Sequence, residues 1–346
     1  MDNPSIGALA GLRRAFLGLR TAADLSELLA IPPARLAALA AQPRYNVFEI
    51  PKKDGSMRLI EDPDDRLQAA QDTLNDYLQA VYWHQRSEAA YGFLVVPAGD
   101  SSPRHIETNA RRHLGKGWLL NCDLEDFFHQ VTSERVKNLF EQEPFRFDGE
   151  LPYLLADLTT FRGRCPMGAP TSPALSNLAF APADHDLLDL AHRRGWTYTR
   201  YADDMSFSSH QPLNWDDYTD VQRVAGRHDF RFNPAKAKLY GPDEPKTITG
   251  LLLGPEDVEI PPDFIPEIAD DIRQLAGAVR VQYRVATKGS RTIDRFRRSI
   301  EGKIRFAGRI MGEEHPGVAA LWKDYRAAMT PPAQREQRSW LDFDYW

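Results

Sequence analysis

Apolar positions recur along this chain at two periods, and the switches between them outline its elements. From Gly7 to Leu39 the spacing is helical. An apolar face is interrupted by Arg13, Arg14 and Arg20, Thr21 can cap a helix over Ala22–Leu29, and Pro32-Pro33 opens another through Leu39. The period then falls to two. Tyr45 to Ile50 and Met57 to Ile60 flank the turn-rich Pro51-Lys52-Lys53-Asp54-Gly55-Ser56, which predicts a β-hairpin. After Asp62-Pro63, Leu67, Ala70, Leu74, Leu78 and Val81 mark a long amphipathic helix. Trp118 to Asp123 reads as a buried strand ending on a carboxylate. Helices are expected over 133–142, 150–160, 172–193 and 215–227, and a strand over Ile248–Leu253. From Pro262 onward the pattern is helical, broken at Pro316 and Pro331-Pro332, and no internal repeat or low-complexity linker appears.

The strongest chemical signal lies in a second hairpin. Trp196-Thr197-Tyr198-Thr199-Arg200-Tyr201 approaches, Ala202-Asp203-Asp204 turns, and Met205-Ser206-Phe207-Ser208 leads away. Two carboxylates at one tight turn repel unless a cation lies between them, so the pair suggests a metal site, although an Asp-Asp pair taken alone is more often a solvated turn. Asp123, at the end of its own strand, supplies a third acid. Nucleotidyl transfer by two metals needs carboxylates from separate elements to hold ions roughly 4 Å apart. Between the acids lies Cys165-Pro166-Met167-Gly168-Ala169-Pro170-Thr171-Ser172-Pro173, a Pro/Gly loop that lets backbone approach a nucleotide closely.

Composition narrows the setting. At 346 residues, 42% hydrophobic and 27% charged, the chain has the makeup of an ordinary soluble protein with two or three subdomains. No run of about 18 apolar residues predicts a membrane span, and the N-terminal stretch does not read as a signal peptide. Two cysteines, Cys122 and Cys165, make no disulfide framework or four-ligand zinc site, which fits a reducing cytoplasm. The net charge of −6 argues against nucleic acid, but its distribution does not. Arg280 to Arg309 holds ten basic residues against Asp294 and Glu301, a local +8. Such a stripe is either a phosphate-tracking surface or a solvated helix face.

The acid-bearing strand, Gly168-Ala169-Pro170-Thr171-Ser172-Pro173-Ala174-Leu175-Ser176-Asn177-Leu178 and Tyr201-Ala202-Asp203-Asp204, in that order and spacing, resemble a bacterial reverse transcriptase, most closely the retron type. The resemblance runs from about Leu25 to Arg309. It implies an α+β right-hand polymerase with fingers, a palm built on an antiparallel sheet, and a helical thumb. The expected boundaries are an N-terminal helical region over 1–44, fingers over 45–118, palm over 119–253 with a fingers insertion at about 140–165, and thumb with C-terminal tail over 254–346.

The same resemblance implies residue roles. Asp123, Asp203 and Asp204 become the catalytic, metal-holding triad for two Mg2+ ions, with Mn2+ as a substitute. Lys53 and Arg58 in the early hairpin grip the triphosphate of a deoxynucleoside triphosphate, with Lys52 as a further candidate. Phe128 falls at the steric-gate position that excludes a ribose 2′-OH, though a core phenylalanine fits the spacing as well. Met167 and Gly168 line the nucleotide bed; related enzymes usually carry Gln where Met167 stands, and Met cannot make its hydrogen bonds. Either Lys236 or Lys238 lies near the triphosphate. Asn109-Ala110-Arg111-Arg112-His113 and Ile248-Thr249-Gly250 match retron signatures, the latter with Ile for Val. They imply that Asn109, His113, Thr249 and Gly250 contact the structured RNA, while His113 alone reads as a structural histidine.

Arg291, Arg295, Arg298 and Lys303 would track the template–primer duplex from one face of a helix whose other face carries Ile300, Ile304 and Ala307. The aromatic tail Trp340–Trp346 either caps the thumb core or docks on a partner. The partners implied are a structured non-coding RNA with its RNA–DNA product and a neighbouring effector protein in an anti-phage role, with no membrane. The alternatives at this point are another defence-associated or mobile-element reverse transcriptase, or a non-catalytic RNA-binding scaffold on the same fold. A nucleotide cyclase is disfavoured by the early hairpin and by the lack of a Gly-Gly-Asp/Glu turn.

Overall fold

The structure, a computed structural model, describes residues 3–51, 55–285 and 291–329, with backbone alone for 281–285 and 291–292. Lys52, Lys53 and the tail 340–346 therefore lie outside the described residues, as does the Arg291 side chain. The chain divides into two compact units, Met1–Thr249 and Gly250–Trp346.

The first unit opens with α1 (Ile6–Leu17), α2 (Ala22–Leu28) and α3 (Pro33–Ala41). Thr21 caps α2 reciprocally with Asp24, and Pro33 starts α3, where its missing N–H costs nothing. The hairpin β1 (Tyr45–Pro51) and β2 (Met57–Pro63) follows, then α4 (Asp65–Gln85), capped by Asp64. Leu67, Ala70, Leu74, Leu78 and Val81 are all buried along one face of α4, as their spacing requires. A short helix, α5 (Ile106–Arg111), leads to β3 (Trp118–Asp123); α6 (Ser133–Glu141) and α7 (Leu151–Thr159) lead to α8 (Ser172–Arg194). Buried residues surround most of α8, which makes it the central helix, and Gly195 in left-handed geometry ends it.

Next come β4 (Thr197–Tyr201), β5 (Asp204–Ser209), α9 (Trp215–Gly226), β6 (Lys238–Tyr240) and β7 (Thr247–Ile248). The sheet runs β4-β5-β3-β6, antiparallel throughout. Its two central strands are the ones that carry the acids.

The second unit holds the hairpin β8 (Leu251–Leu253) and β9 (Val258–Glu259), then α10 (Phe264–Val285), α11 (Arg291–Met311) and α12 (Pro316–Met329). Ile300, Ile304 and Ala307 of α11 are fully buried in its own core with Ile268, Leu275 and Val318. Pro316 opens α12 rather than interrupting a helix.

The strand expected over Ile248–Leu253 is corrected by the backbone. Thr249 (φ 49°) and Gly250 (φ 83°) are both left-handed, so extended chain stops at Ile248 and resumes at Leu251.

Candidate active site

β4 and β5 are joined by the two-residue turn Ala202-Asp203, with Tyr201 and Asp204 paired across its base. Ala202 takes the positive φ of 59°, and Asp203 does not. The turn thus strains the alanine and leaves both carboxylates on a rigid frame. On the other side of β5, Asp123 and Asp204 are register partners, and Leu124 N–H donates to the Asp203 carbonyl at 3.1 Å. Two strand pairings therefore bring together three acids that the sequence separates by 80 residues.

Their electrostatics reflect that crowding. Desolvation, then the charge of Asp123, raises the pKa of Asp203. Asp204 reaches solvent at the mouth of the site, yet desolvation and then Asp203 push it to about 7. Asp123 is 5% exposed and receives the Lys236 ammonium on Oδ2 at 2.6 Å. Lys236 ends a 3-10 turn, Pro234–Lys236, which Asn233 caps while its own N–H donates to the Asp123 carbonyl. Of the two candidate lysines, Lys236 is ion-paired to Asp123, and Lys238 is an exposed residue of β6.

Among the described residues no three His, Cys, Asp or Glu side chains already enclose a metal position. The donor chemistry nevertheless suits hard divalent cations. The candidates are all carboxylates, two of them are held above their ordinary pKa by burial first and neighbouring acid charge second, and one is paired with an ammonium.

Around the acids, Phe128 opens off a 3-10 turn, Phe127–Gln130, that starts at left-handed Asp126. Phe127 is buried, whereas Phe128 is half-buried and tilted against Phe93 at 5.6 Å. The 165–170 loop is tied to β2 where the Met167 carbonyl accepts Glu61 N–H at 2.7 Å. A Cβ on Gly168, whose φ is +136°, would sit 2.7 Å from the Glu61 carbonyl. This loop thus requires glycine on two grounds, conformation and space. Arg58 is exposed on β2, with no ion-pair partner among the described residues.

Several RNA-contact expectations change. His113 is fully buried, its two ring nitrogens 2.7 Å from the Ser208 and Thr199 hydroxyls, and burial lowers its pKa to about 3. It rivets the segment after α5 to β4 and β5 and presents nothing to RNA. Asn109 is 1% exposed and is likewise turned away from solvent. Thr249 is half-buried with its hydroxyl toward the Ile106 carbonyl, and Gly250 is exposed. On α11, Arg295 and Arg298 are exposed, but Lys303 is ion-paired to Asp271 of α10 at 2.6 Å. Lys303 is thus drawn into holding two helices together.

Sequence reasoning passed over the residues behind the acidic turn: Arg200, Asp184, Asn177 and Gly92. An arginine at an inward strand position beside two acids was the one available signal.

Comparison with known proteins bears on this arrangement. Residues 50–253 match the family described as reverse transcriptase (RNA-dependent DNA polymerase). The retron Mx162 reverse transcriptase of Myxococcus xanthus is 34% identical over 265 residues, which are 68% of this chain and 52% of that protein. The retron Ec86 reverse transcriptase of Escherichia coli is 28% identical over 267 residues, 73% of this chain and 77% of that one. The retron Ec48 reverse transcriptase, also from E. coli, is 25% identical over 333 residues, 92% and 78% respectively. The chain thus spans about half the length of the first of these relatives. A solved telomerase from Candida albicans aligns over 90% of this chain and 68% of its own at a TM-score of 0.43 and 10% identity. The matched stretch runs from the first hairpin through both acid-bearing strands to β8, and over it the chain belongs to the reverse transcriptase (RNA-dependent DNA polymerase) family, with that family's α+β right-hand polymerase fold.

Proposed function

We propose that this protein is an RNA-directed DNA polymerase of the retron type. It would copy part of a dedicated, structured non-coding RNA, which serves as template and primer, into a short single-stranded DNA. The observation that carries the reading is the register pairing of Asp123 with Asp204 beside the Ala202-Asp203 turn. It brings acids from two elements to one end of the sheet's central strands, inside the segment that matches the family.

Asp123, Asp203 and Asp204 would hold two Mg2+ ions, or Mn2+ in their place. Such ions lower the pKa of an attacking hydroxyl and neutralise charge at the leaving phosphate oxygens. The protein's own groups do the rest. Lys236 neutralises Asp123 and is the lysine this reading assigns to the triphosphate. Gly168 lets the 165–170 backbone approach the nucleotide, and Met167 packs by dispersion where a glutamine would hydrogen-bond. Phe128 excludes a ribose 2′-OH by occupying its space. Arg58, with Lys53, meets the phosphates from the early hairpin, and Arg295 and Arg298 add sequence-independent phosphate contacts.

In this reading 45–118 are fingers, 119–253 palm and 254–346 thumb, preceded by the helical region 1–44. The setting is cytoplasmic, in keeping with two buried free cysteines, and the role is anti-phage defence with a neighbouring effector.

The test is extension by the purified protein with its co-purifying nucleic acid, deoxynucleotides and Mg2+, followed by sequencing of the product. A defined, branched RNA–DNA product lost in Asp203→Asn is expected. Absence of any extension, or extension that survives Asp203→Asn, would overturn the proposal.

A further inference from the structure

Behind the acidic turn lies an ion pair that no accessible chemistry uses. Arg200 and Asp184 are both 0% exposed. The arginine donates from Nε to Asp184 Oδ1 at 3.0 Å and from Nη2 to Oδ2 at 2.6 Å, and the Tyr198 hydroxyl donates to the same carboxylate at 2.7 Å. The guanidinium also lies over the Phe180 ring at 4.7 Å. A buried pair of this kind is seldom worth more to stability than apolar side chains of the same volume. Its geometry suggests what it does instead. The bidentate fork leaves Nη1 free, and Nη1 donates to two acceptors at 2.9 Å: Asn177 Oδ1 and the carbonyl of Ala202.

Ala202 is the strained residue of the turn, a non-glycine held in the left-handed region at φ 59°. Its other face meets Gly92. A Cβ there would stand 2.4 Å from Ala202 N and 3.0 Å from the Tyr201 carbonyl carbon. Gly92 is not itself left-handed, so closeness and not backbone freedom demands the glycine. Three bonds clamp its segment in place. Arg200 N–H donates to Ala89 O and Tyr91 N–H to Arg200 O, both at 2.7 Å, and Asn177 Nδ2 donates to Gly92 O at 3.0 Å. Asn177 belongs to α8, which begins directly after the 165–170 loop, and Phe93 tilts against Phe128.

We propose that Arg200, braced by Asp184 and Asn177, is a positioning residue that sets the Ala202-Asp203-Asp204 turn against Gly92. It thereby ties the acids to the helix behind the nucleotide loop and to the Phe128 contact. The proposal rests on reading Asp203 and Asp204 as the polymerase carboxylates. Lysine cannot substitute for Arg200, because one ammonium cannot span Asp184, Asn177 and the Ala202 carbonyl together.

The test compares Arg200→Lys and Gly92→Ala with the unaltered full-length protein on a supplied primed RNA template. Gly92→Ala removes no donor or acceptor of Asp184, Arg200 or Asn177 and presses on the turn from the opposite side, so it tests the placement of the turn if Arg200→Lys does not fold. Three quantities are read at a temperature where circular dichroism shows the variants folded: kcat, KM for the deoxynucleotide, and Mn2+ binding by electron paramagnetic resonance without nucleotide. Expected are a kcat at least about tenfold lower, a KM altered less than about threefold, and Mn2+ binding weakened at least about fivefold. Variants that merely melt earlier, with unaltered kcat and Mn2+ binding, would overturn the positioning role. Failure of the unaltered protein to extend any primer would instead overturn the polymerase reading.

Discussion

Asp204→Asn should stabilise the metal-free protein while abolishing its activity. The substitution keeps the side chain's shape and removes one of the crowded charges. A carboxyl raised from 3.8 to about 7 would store roughly 4 kcal/mol if fully desolvated. Asp204 is exposed, and solvent screening reduces this to about 1–2 kcal/mol. Because the folded-state pKa lies above the unfolded one, this contribution is fully favourable below pH 4 and is lost as pH rises toward 7. The unaltered protein should therefore lose stability over that window relative to the variant. At pH 8 without metal, the variant should melt about 2–4 °C higher. Mg2+ should reverse the order, because only the unaltered protein has the full set of carboxylates to bind it. The assay is thermal unfolding from pH 4 to 8, with and without Mg2+. The difference between the two proteins cancels the titrating groups remote from the acids, His113 among them. A variant that melts at or below the parent at pH 8, or that gains as much from Mg2+, would refute the claim that repulsion among the acids is relieved by a cation.

Gly168→Ala should lower kcat at least about tenfold and reduce stability by about 1–3 kcal/mol, since its Cβ would stand 2.7 Å from the Glu61 carbonyl at a φ of +136°; steady-state kinetics and urea unfolding check both. His113→Leu should cost about 1–3 kcal/mol at pH 7, because the buried Ser208 and Thr199 hydroxyls lose their partner. It should also flatten the acid limb of stability: a histidine held near 3 and released at 6.5 on unfolding destabilises the fold as pH drops through that window, by up to about 1.4 kcal/mol per pH unit. Phe128→Ala should raise ribonucleotide incorporation relative to deoxynucleotide about tenfold or more, measured as the ratio of kcat/KM values; an unchanged ratio would return Phe128 to the core. Arg295→Glu with Arg298→Glu should weaken RNA binding and reduce its salt slope by about 2, whereas Lys303→Gln should chiefly lower stability through loss of the Asp271 pair.

Much of this protein follows from local sequence alone. The helices over 172–193 and 215–227, the buried face of α4, both hairpins and the apolar side of α11 rest on periodicity, capping and turn residues, which act within a few positions of themselves. The acids and the Pro/Gly loop were legible because nucleotide chemistry demands those residue types in that order. What depended on distant strands meeting was not legible. α5 has six residues and β6 three, too few for a period to show, and the strand read over 248–253 breaks where Thr249 and Gly250 turn left-handed. The sequence offered His113 as an RNA contact or a structural residue; only the packing of the chain after α5 on β4 and β5 decided for the second. Lys303 looked like one cation in a stripe until Asp271 on a neighbouring helix claimed it. The acidic turn divides in the same way. Its carboxylates were visible in four consecutive letters, but the arginine beneath them, the glycine against them and the lysine resting on Asp123 come from elements up to 113 residues apart. Burial and close approach are properties of the folded chain, and only the tertiary structure could supply them.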